Sequence, residues 1–550
     1  MASTTPHFKR PAEKAFTRDE RKRVTLLFNG LTTAHDRLMA AGLSGLGYRA
    51  RPLRVPEKAD FQTGKEYGNN GQCNPTYFTV GNLINELVRL RDEEGLPTER
   101  ILADHAFVTV GTCGPCRFGM YEAEYRLALR NAGFDGFRVL IFDQTGAGEQ
   151  RTAGDGFEVN LQLITTLLDA TFIGDLLNAL FFHVRPYATD PQAVARARER
   201  CLAVCEAALR ERDHRVRPGL TARALRALLP IDRAGDIQRL FDRMRGDSHL
   251  APLRRCREIV ASEVEVDYTR PKPVVKITGE FWAQTTEGDG NFHMFDFLER
   301  EGAEVLVEPV ATWIDYLLHQ RRVALGDRAG LADGGRLARL GHRLRTTRAR
   351  LLVTACERLL AREYHRMREA LGGTVHPLAD QLEMQRVGHP FYNIRASGGE
   401  GYLEVAKNIY YFNRSLAHMT LSLKPFGCMP STQSDGAQAA VMAHYPELNY
   451  LPVETSGEGD INAYSRAQMS LGEAKAQCKR EFDEAVARTG RSLEAIRAHV
   501  AMRPALHDPI QPVPHHHGVI GRAANFVLHV GALMDREGIP RREAAEGATA

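Results

Sequence analysis

Four cysteines sit where redox or metal chemistry would need them. Cys113 and Cys116 frame the "CGPC" of "VTVGTCGPCRFGMYEAEYRL", which begins at Val108. Cys428 lies in "KPFGCMP" and Cys73 in "GNNGQCNPTYFTVGNLINEL". Each thiol occupies a loop rich in Gly, Pro or Asn that leads into a helical pattern. Backbone N–H groups at a helix start favour thiolate over thiol and can donate to cluster sulfides. Glycine lets the backbone approach a bulky inorganic group.

The chemistry such thiols could perform is of four kinds. A thioredoxin-type dithiol normally has Trp before its first Cys; here Thr112 stands there, and the only tryptophans are Trp282 and Trp313. Zinc wants a second close pair of ligands, and the sequence has none. An iron–sulfur cluster accepts two near cysteines completed by remote ones, a role Cys73 and Cys428 fit. Buried structural thiols are the fourth reading. The other five cysteines, Cys201, Cys205, Cys256, Cys356 and Cys478, lie in helical patterns without flanking Gly or Pro and read as small apolar core residues.

Further candidates surround these loops. Glu280 in "TGEFWAQ" follows a strand, so it is a candidate catalytic carboxylate facing a cleft, or a helix cap or hinge. Gly398, Gly399 and Glu400 in "RASGGEGYLEVAKN" are candidates to cradle a phosphate or thioester, or form an ordinary helix start. Arg117 adjoins Cys116 and could serve a cluster or a carboxylate. His515, His516 and His517 form a metal-friendly tract in a Pro-flanked segment, where adventitious binding is the expectation.

The elements that must position these residues follow one grammar: apolar run, Gly-rich loop, helical pattern, second apolar run. It recurs in the segments beginning at Arg23, Ala106, Pro273 and Met419. The continuous apolar first runs are of buried type, the βαβ signature of parallel sheet with helices on both faces. The expected fold is therefore α/β, with two flavodoxin/Rossmann-like parallel-sheet domains and helical insertions. Residues 1–22 are expected to be a flexible basic tail. Residues 23–150 form a first α/β domain carrying Cys73, Cys113 and Cys116, and 151–270 a helical region. Residues 271–500 form a second α/β domain carrying Cys428, with a helical insertion at about 311–385, and 501–550 an irregular tail.

Composition narrows the function classes. A 550-residue chain exceeds one ordinary core, and 43% hydrophobic with 25% charged residues is a globular composition. The net charge of +4 is small for this length, which argues against nucleic acid as a general partner. The Arg-rich "RAGLADGGRLARLGHRLRTTRARLL" from Arg328 reads as an amphipathic helix with a solvated basic face rather than a nucleic-acid patch. No uninterrupted apolar run approaches the ~20 residues that span a bilayer, and the polar, basic start is not a secretory signal. Nine scattered cysteines, an odd number, are not a disulfide framework, so a cytoplasmic location with reduced thiols is expected.

In longer context, "GQCNPTYFTVGNLI", "GTCGPCRFGMYEAEYRLALRNAGF", "VKITGEFWAQTTEGDGNFHMFDFLEREGAEVLVEPVATWIDYL" and "LKPFGCMPSTQSDGAQAAVMAHYPELNYLPVETSGEGDINAYSRAQM" occur in that order. Together they resemble the 2-hydroxyacyl-CoA dehydratase-like iron–sulfur family, most closely the dehydratase-like portion of the large CoA-substrate-specific activases. The resemblance covers most of residues 23–475. It implies paired flavodoxin-like domains and a [4Fe–4S] or double-cubane cluster, with Cys73, Cys113, Cys116 and Cys428 as ligands. It implies low-potential electron transfer or radical chemistry on a CoA thioester or other small substrate, under anaerobic conditions, in a dimer. The recognisable region starts near residue 23 and "TGKEYG" lacks the first Gly of a phosphate loop. A separate actin/Hsp70-like ATPase is therefore the expected electron donor. A non-catalytic iron–sulfur accessory or scaffold protein is the alternative, with a CGPC dithiol oxidoreductase behind it.

Overall fold

The computed structural model describes residues 14–111, 116–143, 155–212, 243–329, 331, 335–396 and 399–541. In the first half, strand β1 (Thr25–Phe28) leads through helix α1 (Thr33–Gly45) to β2 (Arg49–Pro52). Helices α2 (Lys58–Tyr67), α3 (Asn74–Asp92) and α4 (Thr98–Asp104) follow, then β3 (His105–Gly111), α5 (Tyr121–Asn131) and β4 (Val139–Asp143). The sheet order is β2-β1-β3-β4 and every pairing is parallel, with Leu26 opposite both Ala50 and Ala106. β1 is apolar at Leu26, Leu27 and Phe28 and buried along its whole length, because helices cover both faces of the sheet.

Helices α6 (Leu161–Val184), α7 (Pro191–Arg210) and α8 (Ala251–Glu263) connect to the second half. There β5 (Val274–Gly279) runs into the short α9 (Phe281–Thr285), and α10 (Met294–Arg300) into β6 (Glu304–Leu306). Three helices come next, α11 (Val310–Asp327), α12 (Arg336–Ala370) and α13 (Gln381–Gly388), followed by α14 (Leu403–Asn413). β7 (Met419–Pro425), α15 (Met429–His444) and β8 (Tyr450–Thr455) complete a sheet of order β6-β5-β7-β8, again all parallel. The two sheets thus repeat one strand order, 2-1-3-4, and the eight strands are those expected from the four βαβ segments. In such sheets ligands bind beyond the carboxyl ends of the strands, where the order switches direction. That point falls after β1 and β3 in one half and after β5 and β7 in the other.

Helix α6 belongs to the shared core. It is long and apolar enough to cross a membrane by length and composition, although Asp169 and Asp175 interrupt its apolar sequence. Most of it is buried in the protein, and both aspartates have protein partners. Asp169 accepts from Arg212 Nη1 at 2.8 Å and Arg243 Nη1 at 2.7 Å. Asp175 accepts from the amides of Val310 (2.7 Å) and Ala311 (2.9 Å), the first turn of α11, and pairs with His35 Nε2 of α1 at 3.1 Å. A carboxylate at a helix N-terminus satisfies orphan N–H groups and the helix dipole together. One buried side chain therefore ties the first half, the connecting helices and the insertion.

The terminal segments are more ordered than expected. Phe16 is fully buried against Phe157, and Arg18–Lys22 form a 3₁₀ turn, so residues 14–22 are not a loose tail; residues 1–13 lie outside the described set. Beyond α16 (Asp460–Arg488) and α17 (Leu493–Ala501), helix α18 (Arg522–Arg536) buries Phe526, Val527 and Val530 in the core that contains α6. The Pro- and His-rich segment before it masks an amphipathic helix whose N-cap is Gly521. Replacing Asp175 by Ala leaves two helix amides and His35 without their acceptor. A loss of about 3 kcal/mol in urea denaturation is expected, and a loss below about 1 kcal/mol would refute the role given to this carboxylate.

Candidate functional site

Three of the four singled-out cysteines are described, and each is the N-cap residue of a helix. Cys73 precedes α3 and Cys428 precedes α15. Both are followed two residues later by proline, which tolerates the first helical turn because its missing N–H has no partner there. Cys116 caps a 3₁₀ turn, Arg117–Met120, that runs into α5; its Sγ accepts from the Phe118 amide at 3.4 Å. Cys73 Sγ lies 3.2 Å from Thr76 Oγ1 and 3.1 Å from Tyr121 Oη. Cys73 and Cys428 are buried and Cys116 is partly so. Cys113 lies outside the described residues.

The loops carrying these thiols meet. The amide of Asn74 donates to Phe426 O at 3.1 Å, and Asn74 Nδ2 donates to Thr455 O at 2.7 Å. Gly427 has φ +76°, and a Cβ there would stand 3.3 Å from Cys73 Cα, so glycine is needed both for the turn and for the approach of the two chains. On the other side, Arg117 donates to Gly71 O, and Glu124 of α5 holds the same loop through Asn69 Nδ2 (2.7 Å) and Gln72 Nε2 (3.0 Å). The Cys116 helix is thereby latched to the Cys73 loop.

Glu280 is the common neighbour. It caps α9 by accepting from the Ala283 amide at 3.0 Å, which is the helix-cap role foreseen for it. Its carboxylate also acts electrostatically on Cys73, Cys116 and Cys428 alike. Burial pushes Glu280 up to about 7, helped by Glu400 and Glu404 and opposed by the amides of Ala283 and Trp282. Burial likewise raises all three thiols, Cys116 to about 12, and Glu280 adds to the effect. In this state the thiols hold their protons. The helix-start N–H groups that favour thiolate are outweighed by desolvation, and metal loading would have to release those protons.

Behind Glu280 lies a buried charge network. Lys276, inside β5, donates to Glu308 Oε2 at 2.8 Å; Glu308 also accepts from Thr312 Oγ1 (2.8 Å) and Tyr411 Oη (3.0 Å). Lys407 of α14 donates to Glu400 at 3.1 Å, and Gln284 Nε2 to the other Glu400 oxygen at 3.1 Å. Burial opposes ionisation of Glu308, but Lys276 and Lys407 outweigh it and hold the carboxyl at about 2. Burial brings Lys276 down to about 8.

The structure thus gathers Cys73, Cys116, Cys428, Glu280 and Glu400 around the facing ends of β3, β5 and β7. Gly399 (φ +57°) faces Pro430 at the start of the Cys428 helix; Gly398 lies outside the described residues. α14 begins only at Leu403, so Gly399 and Glu400 precede the helix rather than start it. His515 is remote, bonded to Ser415 O at 3.1 Å. Cys205 and Cys256 meet with sulfurs 3.6 Å apart, and with Cys201 they are core residues as read; Cys478 is buried too, whereas Cys356 is exposed on α12. Two clefts open on either side of Glu287, in the loop that Glu280 begins. One of about 230 Å³ is bounded by Arg185, Arg198 and His293, the other of about 90 Å³ by Asn29, Asp36 and Trp282. Sequence reasoning missed Tyr121, Glu124, Lys276, Glu308 and Lys407. A lysine inside the apolar run "PVVKITG" was the available signal, because a buried cation needs a carboxylate partner.

Among the described residues no three His, Cys, Asp or Glu side chains stand close enough to hold a metal ion. Three thiols from three separate helix starts, with Glu280 among them, are nonetheless the donor chemistry that an iron–sulfur centre takes. Comparison with protein-family models, with curated proteins and with solved structures finds no match to the chain in any of the three.

Two outcomes follow for this site. Lys276→Met leaves Glu308 buried and uncompensated, and a loss of about 3–5 kcal/mol is expected in urea denaturation. The Lys276→Met/Glu308→Leu double variant should lose less than the sum of the single losses; strict additivity would refute the coupling. Glu280 titrates higher in the folded protein than its ordinary 4.5, so the native state binds the extra proton and its stability falls as pH rises from about 4.5 to about 7. In metal-free protein the melting-temperature gain of Glu280→Gln over wild type should therefore grow from pH 5 to pH 8. A difference independent of pH would refute the raised value.

Proposed function

We propose that the chain is an iron–sulfur protein of the 2-hydroxyacyl-CoA dehydratase-like kind. Cys73, Cys116 and Cys428 would hold the cluster, a [4Fe–4S] or double cubane, with Cys113 as the fourth ligand of the set. The observation that carries this reading is the convergence of three helix-capping thiols from both α/β halves on one carboxylate, Glu280. When bound, such a cluster supplies low-potential one-electron transfer and, through an open iron, Lewis-acid binding of a carbonyl or hydroxyl. The chain's own residues would do the rest. The helix-start amides of Thr76, Phe118 and Ser431 would stabilise the Cys73, Cys116 and Cys428 thiolates. Glu280, near neutrality in its titration, would hold or move a proton beside the cluster. The buried Lys276, Glu308, Lys407 and Glu400 would keep that carboxylate in place and exclude water. A CoA thioester or another small substrate would enter by way of the Glu280–His293 loop, and a separate actin/Hsp70-like ATPase would deliver the electron.

The test is iron and acid-labile sulfide per chain after anaerobic purification and reconstitution. About four of each are expected for one cubane, or about eight for a double cubane, with loss in each of Cys73→Ser, Cys116→Ser and Cys428→Ser. Protein that takes up no iron, or takes it up equally in all three variants, would overturn the proposal.

A further inference from the structure

The Arg-rich helix foreseen from the sequence exists, but it is turned the other way round. An amphipathic helix is expected to bury its leucines. In α12 the carboxyl-terminal part does so, with Leu360, Tyr364 and Met367 in the core. Between Arg336 and Glu357, Thr346 is the one buried residue. Leu337, Leu340, Leu344, Leu351 and Leu352 are 86, 55, 55, 65 and 67% exposed. Single exposed leucines need no explanation, whereas five along four turns of one helix form an apolar patch that marks an interaction site.

The pattern of that patch defines what fits it. Leu337, Leu344 and Leu351 are spaced by one heptad each, and Leu340, Thr347 and Thr354 fill the intermediate positions. This is the seam of a coiled coil. It points away from the protein: Thr346, the buried residue, lies two positions after Leu344, about 200° round the helix. Arg336, Arg343 and Arg350 stand immediately before the three heptad leucines, with Arg345 and Arg348 on the other flank. All five are exposed and none forms an ion pair among the described residues. Residues 336–356 contain no Asp or Glu.

We propose that residues 336–356 of α12 are a docking arm for an acidic amphipathic helix of a partner protein, one with leucine-type residues on its seam and Glu or Asp at the flanks. Charge selects this occupant. A second copy of the arm would set arginine against arginine in either orientation, and like charges at flanking positions repel. Thr347, Thr354 and Arg348 interrupt the apolar surface, so it is too narrow for a bilayer, which takes a broad apolar face. Nucleic acid would use the arginines and leave the leucines bare. The inference rests on α12 alone and does not depend on the cysteines.

The test uses the full chain and two synthetic heptad peptides with the same leucines, one carrying Glu and the other Lys at the flanking positions, followed by fluorescence anisotropy. The Glu peptide is expected to bind at least about tenfold more tightly than the Lys peptide, with affinity falling as salt rises. The Leu344→Asp/Leu351→Asp variant is expected to lose this binding while its thermal unfolding is unchanged, because both side chains are exposed. Equal binding of the two peptides, or binding of neither, overturns the proposal. So does a self-associated chain, by sedimentation, that the double variant makes monomeric. Binding to phosphatidylserine vesicles that the double variant abolishes would overturn it in favour of a lipid surface.

Discussion

A short backbone bridge sets the geometry on which the site depends. Asn74, the first residue of α3, donates its amide to Phe426 and its side chain to Thr455, and so pins the first α/β half to the loop after β7 and the end of β8 in the second. The carboxyl ends of two parallel sheets are thereby made to face each other. Residues that follow β3, β5 and β7 then share one space, although more than 300 positions separate Cys116 from Cys428 in the chain. Gly427 makes the bridge feasible, since any side chain there would press on the Cys73 backbone. Asp175 plays the corresponding part on the far side, where one carboxylate joins α1, α6 and α11.

A close junction of two sheets leaves polar groups in a dry interior, and the buried network answers that cost. Isolated charges as deeply placed as Lys276 and Glu308 would be expelled or neutralised. They persist because each carboxylate has more than one donor and the lysines sit between carboxylates. The same low-polarity surroundings keep Glu280 near neutrality in its titration and the three thiols protonated. Burial thus opposes thiolate formation here, while it brings the Glu280 carboxyl to about 7, where it can gain or lose a proton near neutral pH.

Exposure is distributed as unevenly as charge. Apolar helices such as α6 are buried and their aspartates are partnered, while the first half of α12 presents leucines and arginines to water. Helical periodicity announces that a helix is two-faced, but not which face meets the protein, because that depends on what packs against it. Here α12 packs against α11 with Thr346 buried, and the leucine face is left exposed.

The sequence by itself determined the local elements. Continuous apolar runs bounded by Gly and Pro identify the first strand of each βαβ segment and imply parallel pairing, since a strand covered on both faces is largely apolar, whereas β2, with Arg49 and Arg51, is the less buried edge. The same reasoning placed Cys73 and Cys428 at helix starts, because Gly and Pro punctuate those loops. It failed where the deciding contact is distant. Phe16 reads as a tail because its burial comes from Phe157, far along the chain, and α18 because its apolar face shows its use only where it packs on α16, α17 and the remote Tyr268. Lys276, Glu308, Lys407 and Glu400 carry no mutual spacing rule, and only the fold made them one network. The tertiary structure decided which loops converge, and with that the neighbours of Glu280. Contact between remote segments is set by how helices and sheets pack, while sequence periodicity reports only the period and faces of a single element.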